Sequence, residues 1–200
     1  MKTTIRKVFG RRSRQGGFTL FELIGVMALI GIATFAIMRA KRGAEVTTNA
    51  QALYNSVAAV QNEAPKVYPG VFTGLTCATL ANNSVFSSTS FRVDRTNPAT
   101  PTVFYSAEPN SQITCAPASV VVAGQNDGYT LTFPALSNEM CNAVSDKLNT
   151  SAWLMTVNGT PVKALRQALN TDTKGAQCNA AATNDNQTIV ATFTRSLPPQ

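Results

Sequence analysis

The stretch FTLFELIGVMALIGIATFAIM, residues 18–38, decides how the whole chain is organised. It contains a single ionisable side chain, Glu22. At about 1.5 Å of rise per residue, a helix over this stretch spans the roughly 30 Å hydrocarbon core of a bilayer. A secretory signal peptide has a shorter apolar run that ends in a small-residue cleavage site, and no such site ends this run. The stretch therefore predicts a membrane helix that is retained.

A basic segment precedes the apolar stretch. Residues 1–17 carry six Lys or Arg side chains and no acidic one, so they supply +6 of the formal net charge of +7. By the positive-inside rule, this segment holds the N-terminus in the cytoplasm and places everything after Met38 outside. The alternative is a nucleic-acid-binding arm, which the apolar stretch directly behind it disfavours.

The composition favours an exported protein. The chain has 200 residues, of which 44% are hydrophobic and only 14% are charged. Soluble globular domains have about 25% charged residues, so much of the polar surface here must come from Asn, Thr, Ser and Gln.

Glu22 is the unexpected residue of the apolar stretch. A carboxylate at mid-bilayer costs ~2.5–3.5 kcal/mol on insertion scales. Because Glu22 lies near the start of the stretch, one interpretation is that it reaches the cytoplasmic interface at little cost. The other is that it pairs with a positive group of another chain.

The helix is predicted to continue beyond the membrane. No proline occurs between residues 40 and 63, and Pro65 followed by residues 68–70 is predicted to stop the helix at about Ala64. Within this second half, apolar residues recur on one helical face: Ala50, Leu53, Tyr54, Val57 and Val60. The helix is therefore apolar all round in its first half and amphipathic in its second.

From Val71 onward the sequence predicts a β-rich head. Short β-prone runs occupy residues 102–105, 119–122, 129–133 and 188–194, and residues 124–128 are predicted to join the second run to the third. Ser137 is predicted to cap a helix whose shared face is formed by Met140, Cys141, Val144 and Leu148. Antiparallel strands packed on a long N-terminal helix make the predicted fold class α+β.

A hairpin is predicted between residues 153–157 and 160–165. The turn is Asn158-Gly159, which meets the positive-φ demand of a type I′ turn. Pro161 predicts that the second strand lies at an edge or carries a bulge, because proline has no backbone N–H to donate.

Four cysteines, Cys77, Cys115, Cys141 and Cys178, lie in the head. An even count outside the cytoplasm favours two disulfides, for which three connectivities are open. The sequential one, Cys77–Cys115 and Cys141–Cys178, is favoured, and each bond would contribute on the order of 3–4 kcal/mol in the chain-entropy model. Zinc is disfavoured because the chain has no histidine and no Cys-x-x-Cys pair.

The sequence does not indicate an enzyme. The absence of histidine excludes Ser-His-Asp and Cys-His catalysis, and no glycine-rich phosphate-binding motif is present. Spacing leaves a carboxylate pair or a Ser-Lys dyad open, but no two of the ten acidic residues stand out. We therefore predict no catalytic, cofactor-binding or metal-binding residue.

Residues 16–22, GGFTLFE, together with the apolar run behind them, resemble the processing site of type IV prepilins and of the pseudopilins of type II secretion. The resemblance implies that a membrane peptidase cleaves after Gly17 and methylates the new N-terminus at Phe18. Glu22 would then be the fifth mature residue, whose carboxylate in that family pairs with the N-terminal amine of a neighbouring subunit.

The C-terminal region resembles that of type IVb pilins. Cys141 in an amphipathic helix, the hairpin turn at residues 157–159, Cys178 and a terminal strand all look like their disulfide-bounded region, whereas the short leader and Phe18 are more typical of type IVa pilins. The resemblance implies four parts: a leader (1–17), a transmembrane and filament-core helix (18–38), the amphipathic half of that helix (39–66) and a globular head (67–200).

The function implied by this resemblance is that of a major pilin. The chain would polymerise with copies of itself into a surface fibre for adhesion, aggregation or conjugative mating contact. Expected partners are prepilin peptidase, the inner-membrane assembly machinery and the inner membrane itself, with the head in the periplasm before export to the cell surface. No cofactor or specific nucleic acid is expected. The alternatives are a minor pilin or secretion pseudopilin, and a membrane-anchored binding module that forms no filament.

Overall fold

The computed structural model describes residues 20–87, 90–105, 111–180 and 186–195. Within these ranges the chain forms four helices: α1 (Leu20–Val67), α2 (Cys77–Asn82), α3 (Asn138–Leu148) and α4 (Thr171–Cys178). The same ranges contain seven strands: β1 (Phe91–Asp94), β2 (Thr102–Tyr105), β3 (Thr114–Ala118), β4 (Gly128–Leu136), β5 (Leu154–Val157), β6 (Thr160–Lys163) and β7 (Gln187–Thr194). The chain divides into two compact units between Arg42 and Gly43.

The second unit contains an antiparallel sheet and the latter half of α1. Five strands are ordered β3-β4-β7-β5-β6, and β1 pairs with β2 in a separate two-stranded sheet. The predicted stripe of α1 lies in the hydrophobic core together with side chains of the central strands: Ala50, Leu53, Val57, Val60, Leu131, Phe133, Ile189 and Phe193. Tyr54 is partly buried against the same core. The α+β fold class predicted from the sequence is confirmed.

The end of α1 differs from the prediction. The helix continues to Val67 and contains Pro65, which was expected to stop it at about Ala64. A proline in the last turn removes one backbone hydrogen bond, whereas complete burial of Ala64 holds that turn against the core. The N–H of Tyr68 then donates to the carbonyl of Ala64 over 3.0 Å, which closes the helix one turn later than expected.

Three of the four predicted β-prone runs are confirmed, as β2, within β4 and within β7. The strand predicted at residues 119–122 is wrong. Strand β3 ends at Ala118, and residues 119–127 form a loop. The backbone N–H groups of Val120, Val121 and Val122 donate to the Asp127 carboxylate instead of a neighbouring strand. A local side-chain acceptor has therefore displaced the β-ladder that valine favours.

The predicted hairpin is confirmed as β5 and β6. Asn158 has φ of 51° and Gly159 has φ of 79°, as a type I′ turn requires. Strand β6, which contains Pro161, lies at one edge of the sheet, and its register with β5 shifts beside that residue.

The predicted cap of α3 is also confirmed, since the N–H of Met140 donates to Ser137 Oγ over 3.2 Å. Two further helices, α2 and α4, were not predicted. They are short, and they begin at side-chain caps from Thr76 and Asn170.

Two disulfides hold the head. Cys77 is joined to Cys115 with a Cα–Cα distance of 5.0 Å, and Cys141 to Cys178 with one of 5.6 Å. This is the sequential connectivity. The first bond links α2 to β3 and the second links α3 to α4.

Candidate functional site: the apolar segment of the first helix

The described part of the first unit is the opening half of α1. We call residues 20–38 the apolar segment. Its large hydrophobic side chains are between 44% and 84% exposed, and they are Leu20, Phe21, Leu23, Ile24, Val26, Met27, Leu29, Ile30, Ile32, Phe35, Ile37 and Met38. They occur on every side of the helix, so no orientation of the helix would hide them from water. Such a surface needs lipid or another protein around it.

Length and hydropathy agree with this conclusion. Helix α1 contains a window of 18 residues with a mean hydropathy of 2.3, and none of that window is buried. It is long and apolar enough to cross a membrane. A hydrophobic helix in the core of a soluble protein would instead be covered by its own chain.

The polar groups of the apolar segment are compatible with a hydrocarbon environment. The hydroxyl of Thr34 donates within the helix to the carbonyls of Ile30 and Gly31. A hydroxyl without a hydrogen-bond partner is unfavourable in lipid, and these bonds within the helix give the Thr34 hydroxyl its partners.

Charged side chains mark the two ends of the segment. Glu22 lies in the first turn of α1, where the helix dipole favours a negative charge. At the other end the guanidinium of Arg39 lies 5.9 Å from the centre of the Phe35 ring, and Lys41 and Arg42 follow. Gly17 and Phe18, the predicted cleavage and methylation positions, lie outside the described residues.

A polar network in the head is not indicated by the sequence. The side chain of Asn158 donates to Gln187 Oε1 over 2.6 Å and to the Gln177 carbonyl over 3.1 Å. Gln187, which is fully buried, donates in turn to Asn138 Oδ1 over 2.6 Å. The network ties the hairpin, β7, α3 and α4 together, so Asn158 holds the Cys141–Cys178 region in addition to forming the turn. An Asn-Gly pair gives a local turn signal but does not reveal these distant partners.

The perturbed basic and phenolic groups of the head are structural. Burial lowers the pKa of Lys163, whose ammonium group donates to the Asn149 carbonyl. Burial also raises the pKa of Tyr129, whose ring lies 5.0 Å from that of Phe72. Among the described residues, no group of three or more His, Cys, Asp or Glu side chains is placed to hold a metal ion.

Two comparisons define the class of protein. A family model for the prokaryotic N-terminal methylation motif matches residues 12–38. The crystal structure of the type IV b pilin from Salmonella typhi is similar with a TM-score of 0.53 and 18% sequence identity, over 76% of this chain and 99% of that chain. At this identity the likeness concerns the fold alone. Together with the exposed apolar helix and the disulfide-held head, these findings identify the chain as a type IV pilin.

A second family model matches a longer part of the chain. The model described as PilS N terminal matches residues 43–194, which is most of the chain. The chain therefore belongs to this family. No curated protein sequence matches it.

Proposed function

We propose that this pilin is the major structural subunit of a type IV pilus. It is cleaved after Gly17, methylated at Phe18 and polymerised into a surface fibre used for adhesion, aggregation or conjugative mating contact. The observation that carries the proposal is the apolar segment, exposed on all sides and headed by Glu22. The proposed partners are copies of the same chain, prepilin peptidase and the inner-membrane assembly machinery.

The energetics of leaving the membrane support polymerisation. In the bilayer, the exposed apolar side chains are solvated by lipid. Outside it, each large side chain left in water would cost ~1.5–3 kcal/mol relative to burial. Because none of the 18-residue apolar window is buried, lateral packing against other copies supplies the burial that the fibre needs.

Cleavage and Glu22 together specify the register of assembly. Removal of residues 1–17 discards six positive charges and creates an amine at Phe18. That amine is complementary to the Glu22 carboxylate of a neighbouring copy. In a low-dielectric core, removing one partner of such a pair costs ~3–5 kcal/mol, so a misplaced subunit would be strongly disfavoured.

Substitution of Glu22 tests this role. Glu22→Ala should be processed normally and should reduce the yield of sheared fibres more than tenfold, because the amine of the neighbouring copy is left unpaired. Glu45→Gln, a change at an exposed acidic residue further along α1, is the matched control and should leave the yield unchanged.

The measurements are the mass of the membrane-extracted chain, which reports processing, and the amount of pilin in the sheared fraction. A normal yield from Glu22→Ala would refute the assembly role. In a separate strain that lacks this chain, persistence of the fibres would assign it to the minor subunits instead.

A further inference from the structure

The two disulfides of the head have different surroundings. Cys141 and Cys178 are fully buried. Cys77 and Cys115 are each only partly buried. Because exchange requires a thiolate to reach a sulfur atom, these two bonds should differ in reactivity while the head stays folded.

An open cavity gives access to the more exposed bond. Cys77 and Cys115 both line a cavity of about 330 Å³ whose walls include Thr100, Thr102, Gln112 and Thr114. Every residue that lines it is uncharged. An attacking thiolate therefore meets no acidic side chain in the wall that would repel it.

The Cys77–Cys115 bond joins α2 to β3. These two parts of the head are otherwise held by non-covalent contacts. Between α2 and β3 the chain forms the separate β1–β2 sheet. The N–H of Ile113 donates to the Val103 carbonyl over 2.8 Å, and the Arg95 guanidinium donates to the Ala81 carbonyl over 2.8 Å. Cleavage of Cys77–Cys115 would therefore release the covalent tie and leave these hydrogen bonds in place.

We propose that Cys77–Cys115 is a thiol–disulfide exchange site of the folded head, with a low-molecular-weight dithiol as its reductant, and that Cys141–Cys178 is a structural bond that does not exchange. One thiolate of the dithiol attacks the sulfur of one cysteine, the S–S bond breaks, and the other cysteine leaves as a thiolate. The second thiol of the reductant then attacks the mixed disulfide and releases the first cysteine. Two electrons pass to the protein, both cysteines end as thiols, and the dithiol ends as an internal disulfide.

Native-state reduction tests the proposal. The full chain in detergent is treated with dithiothreitol, samples are quenched with iodoacetamide over time, and the labelled cysteines are identified by peptide mass spectrometry. Cys77 and Cys115 should be labelled at least tenfold faster than Cys141 and Cys178. In denaturant, which removes the difference in access, the two pairs should be reduced at similar rates. Equal rates in the folded chain, or faster reduction of Cys141–Cys178, would overturn the proposal.

A pair of matched variants tests the cavity itself. Ala78 also lines the cavity, so Ala78→Phe should slow the labelling of Cys77 and Cys115 severalfold by narrowing the approach. Ala123→Phe adds the same side chain at an exposed loop position outside the cavity lining and should leave the rate unchanged. Continued protection of Cys141–Cys178 in both variants reports that the head remains folded. With that protection intact, an unchanged rate in Ala78→Phe would contradict access through this cavity.

Discussion

At the scale of single residues, Asp127 determines the conformation of residues 119–122, which the sequence predicts as a strand. Its carboxylate accepts hydrogen bonds from the N–H groups of Val120, Val121 and Val122 over 2.6, 2.8 and 3.0 Å. Burial alone would raise the pKa of Asp127, but these bonds and one from its own N–H outweigh burial and lower that pKa. The ionised carboxylate therefore stabilises the folded loop.

Removal of the Asp127 carboxylate should destabilise the folded loop. Asp127→Ala should lower the free energy of unfolding by about 1–2 kcal/mol at neutral pH, because charge-assisted hydrogen bonds to the loop are lost. Since the pKa is lower in the folded than in the unfolded state, the stabilisation is complete above the ordinary value of 3.8 and is lost as the pH falls through the folded pKa. The difference between wild type and variant should therefore shrink in acid.

Urea unfolding at a series of pH values measures this difference. Gln125→Ala, an exposed change in the same loop, is the control and should have little effect at any pH. A gap between wild type and Asp127→Ala that stays constant down to acid pH would refute the role of the ionised carboxylate.

Gly128 is a second residue at which the structure constrains the side chain. A Cβ atom built there would lie 2.5 Å from the Phe193 carbonyl oxygen and 2.5 Å from Val120 Cγ2. Gly128→Ala should therefore lower the free energy of unfolding by roughly 1–3 kcal/mol, because β7 must shift to admit the methyl group. Urea unfolding measures the loss. Gly70→Ala, where a Cβ meets open space, should be close to neutral; equal losses in the two variants would contradict this packing.

At the scale of elements, α1 divides into two halves with different environments. Leu53 is 1% exposed and lies in the core of the head, whereas Leu29 is 68% exposed in the apolar segment. Leu53→Ala should lower the free energy of unfolding of the head by about 2–5 kcal/mol, because it leaves a cavity. Leu29→Ala removes the same atoms and should leave that free energy unchanged. Urea unfolding in detergent, followed by the fluorescence of Trp153, distinguishes them, and an equal loss in the two variants would contradict the division.

The elements that the sequence predicts well are those with local signals. Ser137 before an apolar face predicts α3, and Asn158-Gly159 predicts the hairpin, because capping and positive φ depend on adjacent residues alone. Residues 119–122 are mispredicted as a strand because their acceptor, Asp127, competes with the sheet in a way that valine propensity does not show. Helices α2 and α4 are too short for a periodic apolar face and depend on tertiary contacts.

The functional features of the chain were predictable only in part from the sequence. The length and composition of the apolar segment identify it from the sequence, and among the described residues none of its 18-residue window is buried. The network of Asn158, Gln187 and Asn138 was not predictable, because its members are distant in sequence and meet only in the folded head.

At the scale of the whole molecule, the sheet and the helix offer different routes to association. Both edge strands of the main sheet contain a proline, Pro117 in β3 and Pro161 in β6. Because proline has no N–H to donate, these edges are poor templates for an added strand. The apolar segment has no such protection, so these features favour the proposed association of copies through α1. Outside the leader, 11 basic and 10 acidic residues leave a charge of only +1, and close packing of copies meets little self-repulsion.

The intact mass of the main protein in fibres sheared from cells, measured under non-reducing conditions, tests whether this chain is a processed pilin subunit. We expect a chain that begins at N-methylated Phe18, lacks residues 1–17 and has all four cysteines oxidised as two disulfides. Sheared fibres that lack this chain, or a mature mass that still includes residues 1–17, would contradict it.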